Sequence, residues 1–299
     1  SPGWNIFPSV EPDMKLNNLN ALITGGSQGL GKTIAEHFLR EGANVVLCAR
    51  SEKELFATRD ELAMHYPERK IFAKTCDVAS ESGVNELVGF ALQKLGTLDA
   101  LVLNAGVYGP MGPTESVPLE EWRRALDINL FGVLLPSRAV IPHFKKNGRG
   151  KIVVLSGGGA TNPLPNISAY AASKAAVVRL METLAEELKS FQVDVNAIAP
   201  GALATRLVDE VLAAGPEKVG AAFFEKNKGW KEKGAVPLDL GASLAVYLAS
   251  AESNGITGKL ISAQWDPWKD LQIHREELAK SDIYCLRRIV PEDRGKRWN

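Results

Sequence analysis

Cysteine is scarce: Cys48, Cys76 and Cys285 are the only three in 299 residues, far apart and odd in number. That usage excludes a disulfide framework and any cysteine-rich metal site, and it suits a reducing cytoplasm. Histidine is equally thin, with His37, His65, His143 and His274 scattered and no HxxxH pair. No metal is expected. Net charge is also missing, because thirty-five basic residues cancel thirty-five acidic ones. A nucleic-acid or membrane-surface partner recruited by bulk charge is thereby excluded. No unbroken apolar run reaches the roughly 18 residues of a membrane span. The N-terminal residues 1–15 lack a basic-then-apolar signal pattern and read as an irregular arm. Repeats, low-complexity tracts and linkers that would mark a second domain are absent as well.

What is present is a chain that is 45% apolar, long enough to bury a full core. From Asn20 onward, short apolar runs alternate with helical patterns. Strands are expected at 21–24, 45–49, 71–76, 98–104, 152–155 and 193–198, with a last one over 255–262. Helices are expected over 30–41, 52–65 and 84–95, and again around Tyr170. The helical stretch 119–144 should bend or break at Pro136 and Pro142. Such alternation argues for an α/β fold with an open parallel sheet and helices on both faces. In sheets of this kind ligands gather at the carboxyl ends of the strands. Residues 206–237 are less regular, mixing Phe223, Phe224 and Trp230 with lysines. They read either as a lid over a small-molecule site or as a plain helical excursion.

Between the first strand and first helix lies TGGSQGLG, from Thr24 to Gly31. Glycines there let the backbone approach a diphosphate, and the helix N-terminus offers it free N–H groups. Thr24, Gly25, Ser27, Gln28, Gly29, Leu30 and Gly31 are therefore candidate cofactor-binding residues. The spacing is not GxGxxG, so the turn alone is weak evidence. The second strand ends Cys48-Ala49-Arg50, without the acid that an NAD site presents to the ribose hydroxyls. Arg50 instead suits the 2′-phosphate of NADP, or is a plain surface charge before a helix.

Tyr170 and Lys174 stand four residues apart near the start of an Ala-rich helix, so phenol and ammonium share a face. A cation there favours the phenolate and would prepare the tyrosine for proton exchange near neutral pH. An ordinary surface Tyr–Lys pair has the same spacing.

The motifs fall in one order: TGGSQGLG, then Asp77-Val78 after strand three, Asn104-Ala105-Gly106 after strand four, Asn129, Tyr170-x-x-x-Lys174, and Pro200-Gly201 followed by Thr205. Over residues 16–262 this closely resembles the short-chain dehydrogenase/reductase family. The resemblance implies a single Rossmann-type, doubly wound domain in three α/β/α layers, with residues 263–299 as a C-terminal extension. It implies a nicotinamide cofactor, with NADP(H) favoured and NAD(H) possible, and a small carbonyl or secondary-alcohol substrate. A homodimer or homotetramer is the implied assembly. Carried across, Asp77 and Val78 would hold the adenine and Asn104, Ala105 and Gly106 would pass beneath its ribose. Lys174 would bind the nicotinamide ribose, and Tyr170 would act as acid or base. Asn129 would hold a relay water, and Thr205 would meet the carboxamide beside Pro200 and Gly201.

Two departures stand out. The family serine thirteen places before the tyrosine is Gly157 here, with Ser156 one place earlier. Ser156 is the candidate substitute; Thr161, Ser168 or a backbone N–H are the alternatives. After residue 262 the chain reads Ala263-Gln264-Trp265-Asp266 and continues, and this tail is expected to roof the cleft with Trp265 or Trp268. Two other readings share these residues. One is a nicotinamide-binding regulatory protein without chemistry, prompted by Gly157. The other is a sugar epimerase or dehydratase that uses the cofactor transiently.

Overall fold

The computed structural model describes residues 14–203 and 205–298, so most of the expected N-terminal arm lies outside the described residues. Seven parallel strands form one sheet: β1 (Asn20–Thr24), β2 (Asn44–Ala49), β3 (Ile71–Thr75), β4 (Ala100–Leu103), β5 (Gly150–Leu155), β6 (Val193–Ala199) and β7 (Leu260–Ser262). Their spatial order is β3-β2-β1-β4-β5-β6-β7. The order reverses between β1 and β4, which opens a crevice at their carboxyl ends.

The strands are apolar throughout because both faces are covered. Ala21, Ile23, Val45 and Leu47 face one core, shared with α1 (Gly29–Arg40), α2 (Glu52–His65) and α10 (Leu238–Ala249). Leu22, Val46, Leu101 and Val154 face the other, shared with α3 (Glu81–Leu95), α5 (Gly132–Asn147) and α6 (Ser168–Leu188). The remaining helices are α4 (Leu119–Leu126), α7 (Arg206–Ala214), α8 (Pro216–Val219), α9 (Ala221–Lys233) and α11 (Arg275–Lys280). The three-layer architecture is the one that the alternation implies.

Three local expectations are corrected. Pro136 and Pro142 sit inside the continuous α5 rather than breaking it. The irregularity comes earlier, in a π-helical turn at Asp127–Phe131 that carries Asn129. Such turns insert one residue into the ladder and re-aim side chains. The last strand is only Leu260–Ser262, because Gly255 and Gly258 adopt φ of +81° and +72°, outside any strand. By length and composition alone the helical run Leu119–Asn147 is apolar enough to cross a membrane, and 44% of its apolar window is buried inside the fold.

The tail also differs from expectation. Trp268, Leu271 and Leu278 are buried in the α1–α10 core, and the Trp268 ring packs 5.7 Å from that of Tyr247. Beyond α11 the chain crosses the free edge of β7, where the Leu260 amide donates to the Tyr284 carbonyl at 2.8 Å. The buried Lys259 ammonium donates to the carbonyls of Ser281 and Ile283, each at 3.0 Å. Of the described tail residues after 262, only Gln264 and Trp265 reach the cleft. Trp268 therefore holds the core and does not wall the site.

Candidate active site

The crevice is a cleft of about 1310 Å³ running along the carboxyl edge from the β2 end to α9. A pocket for one small molecule is about 300–1,000 Å³, so this one has room for a dinucleotide and a second molecule. At its centre is the glycine turn. Gly25 and Gly29 adopt φ of +65° and +53°, which glycine reaches without cost. At Gly31 a Cβ would meet the Gly25 carbonyl oxygen at 2.1 Å and Asn104 Nδ2 at 2.5 Å, so no side chain fits. Thr24 accepts from the amides of Asn104 and Ala105 at 3.0 and 3.2 Å, and Asn104 Nδ2 returns bonds to the carbonyls of Thr24 and Gly25. Thr24 and Gly31 thus lie behind the surface and fix the turn. Gly25, Ser27, Gln28, Gly29, Leu30, Asn104, Ala105 and Gly106 line the cleft. Gln28 precedes α1 with no side-chain cap, which leaves the first helical amides facing the cleft. This cradle of glycines and amides fits a dinucleotide diphosphate.

One arm of the cleft is lined by Arg50, Asp77 and Val78. Arg50 is exposed and has no ion-pair partner among the described residues. Burial pushes the Asp77 carboxyl up, but the Ala79 amide, the Arg124 guanidinium and Arg50 outweigh it and hold the group below the usual carboxylate range. The Ala79 amide donates to Asp77 Oδ1 at 3.0 Å, and Arg124 pairs with Oδ2.

In the other arm, α6 presents Tyr170 and Lys174 to the cleft beside Ser156, Pro200, Gly201 and Thr205. Lys174 Nζ donates to the Leu155 carbonyl at 2.8 Å and lies 5.7 Å from the Tyr170 ring centroid. Burial pushes the Lys174 ammonium down to about 8. Burial, and then the neighbouring Tyr108, push the Tyr170 phenol up. The expected phenolate is therefore not favoured: burial disfavours the charged form, and the Lys174 ammonium is turned to the Leu155 carbonyl.

Asn129 sits behind the wall. Its Nδ2 donates to the Val107 carbonyl at 2.8 Å and to Ser173 Oγ at 2.9 Å, while its Oδ1 accepts from the Val107 amide at 2.9 Å. It ties the loop after β4 to α6. Thr205 precedes α7 but makes no side-chain cap, so its hydroxyl is left for the cleft.

The serine question resolves geometrically. The Ser156 amide donates to the Ile198 carbonyl at 2.8 Å, continuing the β5–β6 ladder, and Gly157 is fully extended. Ser156 borders the cleft, but its Oγ is buried and has no hydrogen-bond partner. Successive side chains of an extended strand point to opposite faces, and the side-chain direction at 157 is the one that meets the Tyr170 hydroxyl, so Ser156 Oγ is turned away from it and does not replace the family serine. Thr161 also lines the cleft, whereas Ser168 is engaged by Trp122 Nε1 at 3.1 Å.

Sequence reasoning passed over Tyr108. Its ring packs edge-on to Tyr170 at 4.7 Å between centroids and reaches Phe223 of α9 at 6.4 Å. Tyr108 sits in an irregular loop, where no periodicity marks a residue. Only its place four residues after Asn104 carried a signal.

The family model for short chain dehydrogenase matches residues 19–215, more than half of the chain. Glucose 1-dehydrogenase of Gluconobacter oxydans is 40% identical over 185 residues, covering 62% of this chain and 69% of that one. The 7alpha-hydroxysteroid dehydrogenase of Escherichia coli is 33% identical over 250 residues, covering 84% and 94%. A crystal structure of levodione reductase superposes with a TM-score of 0.77 at 28% identity, covering 86% of this chain and 99% of that one. A seven-stranded parallel sheet, the crevice at its reversal point and these relatives together identify the chain as a member of the short-chain dehydrogenase/reductase family, an NAD(P)-dependent enzyme of carbonyl and alcohol oxidoreduction.

Proposed function

We propose that this enzyme prefers NADP(H) and interconverts a ketone and a secondary alcohol with Tyr170 as the acid/base. The observation that carries the reading is the convergence of Tyr170 and Lys174 on one arm of the cleft that has the glycine cradle at its centre. When bound, the nicotinamide supplies or accepts the hydride. The protein's residues do the rest. The amides of Gln28 to Leu30 and the start of α1 receive the diphosphate, and Arg50, with Ala49 beside it in place of an acid, meets the 2′-phosphate. Lys174 leaves its remaining N–H donors to the nicotinamide ribose hydroxyls, since an ammonium has three and Leu155 takes one. Thr161, which lines the cleft, is the hydroxyl left to orient the substrate oxygen, and Tyr170 gives its phenolic proton to that oxygen in reduction or takes one in oxidation. A phenol held neutral is the right starting state for reduction. Asn129 positions rather than reacts, keeping Val107 and α6 in register. The half-exposed run from α4 to α5, with Leu119 and Phe131 at its surface, supports self-association as a homodimer or homotetramer.

Gly157 in place of the family serine favours one competing reading, a nicotinamide-binding protein that does not turn over. The test is NADPH oxidation against a panel of ketones and aldehydes, with NADPH affinity measured alongside and Tyr170→Phe as control. Turnover that collapses in Tyr170→Phe while NADPH still binds supports the enzyme. Tight binding with no turnover on any member supports the regulatory reading.

A further inference from the structure

The cleft beyond Tyr170 is closed by α9, whose Phe223, Lys226 and Trp230 lie at i, i+3 and i+7 and all line it. That spacing puts the three on one helix face. Phe223 marks the chemical end of this face, because its ring contacts Tyr108, which packs on Tyr170. Trp230 is about 10 Å further along the axis, and Leu207, Leu203 and Val236 complete an apolar wall.

Charge on this wall is unbalanced. Arg206, which also lines the cleft, is paired with Glu210 at 3.1 Å. Lys231 is taken by Asp209 at 2.6 Å and Lys228 by Glu232 at 4.0 Å. Lys226 has no carboxylate partner among the described residues; its ammonium lies 5.3 Å from the Trp230 ring centroid. Held over an indole face, an ammonium keeps its donors outward and its position defined. Glu54, the other acid lining the cleft, stands beside Arg50 and Ser51 in the opposite arm.

Resting on the oxidoreductase reading above, we propose that the substrate is an apolar, ring- or chain-bodied ketone or alcohol ending in a carboxylate, and that Lys226 pairs with this carboxylate at the Trp230 end of the α9 face, away from the reacting oxygen. The apolar body would lie between Tyr108, Phe223 and Leu207, with its oxygen at Tyr170 and its charge at the rim. A neutral analogue of equal length loses the ion pair, and a shorter acid must place its carboxylate among apolar side chains, which costs more. Lys226 is in this reading a specificity-determining residue; it takes no part in proton or hydride transfer.

The test uses the full chain and para-acetylphenylbutanoate, whose carboxylate and ketone are suitably spaced, against its neutral amide. Affinity of each for the NADP⁺-loaded protein is read by calorimetry, and kcat/KM of each by NADPH oxidation. The acid is expected to bind and react about tenfold better than the amide, and Lys226→Gln to abolish that ratio. Lys228→Gln, which alters a residue outside the cleft, should leave the ratio intact. A wild-type protein indifferent to the charge, or a ratio that survives Lys226→Gln, overturns the proposal. So does a tenfold loss of NADPH affinity in Lys226→Gln, which would assign the ammonium to the cofactor phosphates. If neither ketone is reduced while the acid still binds selectively through Lys226, the redox reading fails and the carboxylate site stands.

Discussion

The Tyr170 hydroxyl fills the space that a side chain at position 157 would need: a Cβ built on Gly157 lies 2.6 Å from that oxygen. Real Cβ atoms do not come so close, so the tyrosine would have to shift, and the Tyr108 ring packs edge-on against it. Restoring a serine at 157 is therefore not a gain of function. Gly157→Ser should lower kcat at least about tenfold by displacing the phenol, whereas Ser156→Ala, which removes a hydroxyl buried away from the phenol, should change kcat by less than about threefold. Steady-state kinetics with NADPH would check both. A rise in kcat for Gly157→Ser would mean that the position, and not Thr161, holds the missing donor.

Arg50 is the one structural argument for NADP over NAD, and it stands without a carboxylate partner among the described residues. Its planar fork pairs bidentately with a charged phosphate, whereas a ribose hydroxyl offers it a single neutral acceptor. Arg50→Ala should reduce the ratio of NADPH to NADH affinity by about tenfold. Fluorescence titration of both cofactors measures this ratio directly. Equal losses for the two would show that Arg50 shapes the pocket without reading the phosphate.

Burial of Lys174 has a cost that depends on pH. Its ammonium is pushed from 10.5 down to about 8 in the folded chain. Below about pH 8 both folded and unfolded chains carry the charge, and the folded state bears the full desolvation penalty. Between about 8 and 10.5 only the unfolded chain is protonated, so stability rises with pH through this window, and above it the penalty is gone. Lys174→Met should thus be more stable than the parent at pH 7, by roughly 1–2 kcal/mol after the lost Leu155 contact is subtracted. That advantage should shrink by pH 10. Urea midpoints of the two proteins at both pH values decide it; an advantage that grows with pH contradicts the burial argument.

The alternation of apolar runs with helical patterns was enough to read the parallel sheet, because strands buried on both faces have no other composition open to them. The order of TGGSQGLG, Asn104-Ala105-Gly106 and Tyr170-x-x-x-Lys174 likewise located the crevice, since each follows a strand. What stayed illegible depends on neighbours far along the chain. The state of Tyr170 is set first by its burial and then by Tyr108, some sixty residues earlier, and no local pattern foretells which ring will cover which. The π turn around Asn129 has no sequence signature of the kind that caps and prolines give a helix end. For Trp265 and Trp268, three residues apart, composition alone gave two candidates to roof the cleft, and only the fold separates the one in the core from the one at the cleft.

That separation gives a sharp pair of variants. Trp268 is buried against Tyr247, and its Nε1 donates to the Ala263 carbonyl at 3.1 Å. Trp268→Ala should cost about 3–5 kcal/mol, the usual loss for a buried aromatic. Trp265 is 79% exposed at the mouth of the cleft, so Trp265→Ala should leave the unfolding midpoint within about 0.5 kcal/mol of the parent. Its effect should instead fall on substrate KM, because the indole offers apolar surface to whatever lies between Leu240 and Gln264. Deleting residues 267–299 would remove Trp268, Leu271 and Leu278 from the core together. Loss of activity in that truncation would accordingly report unfolding, whereas the two point variants keep stability and site apart. Denaturant melts and KM values for the pair test the assignment. A destabilised Trp265→Ala with unchanged KM would place that indole in the core after all.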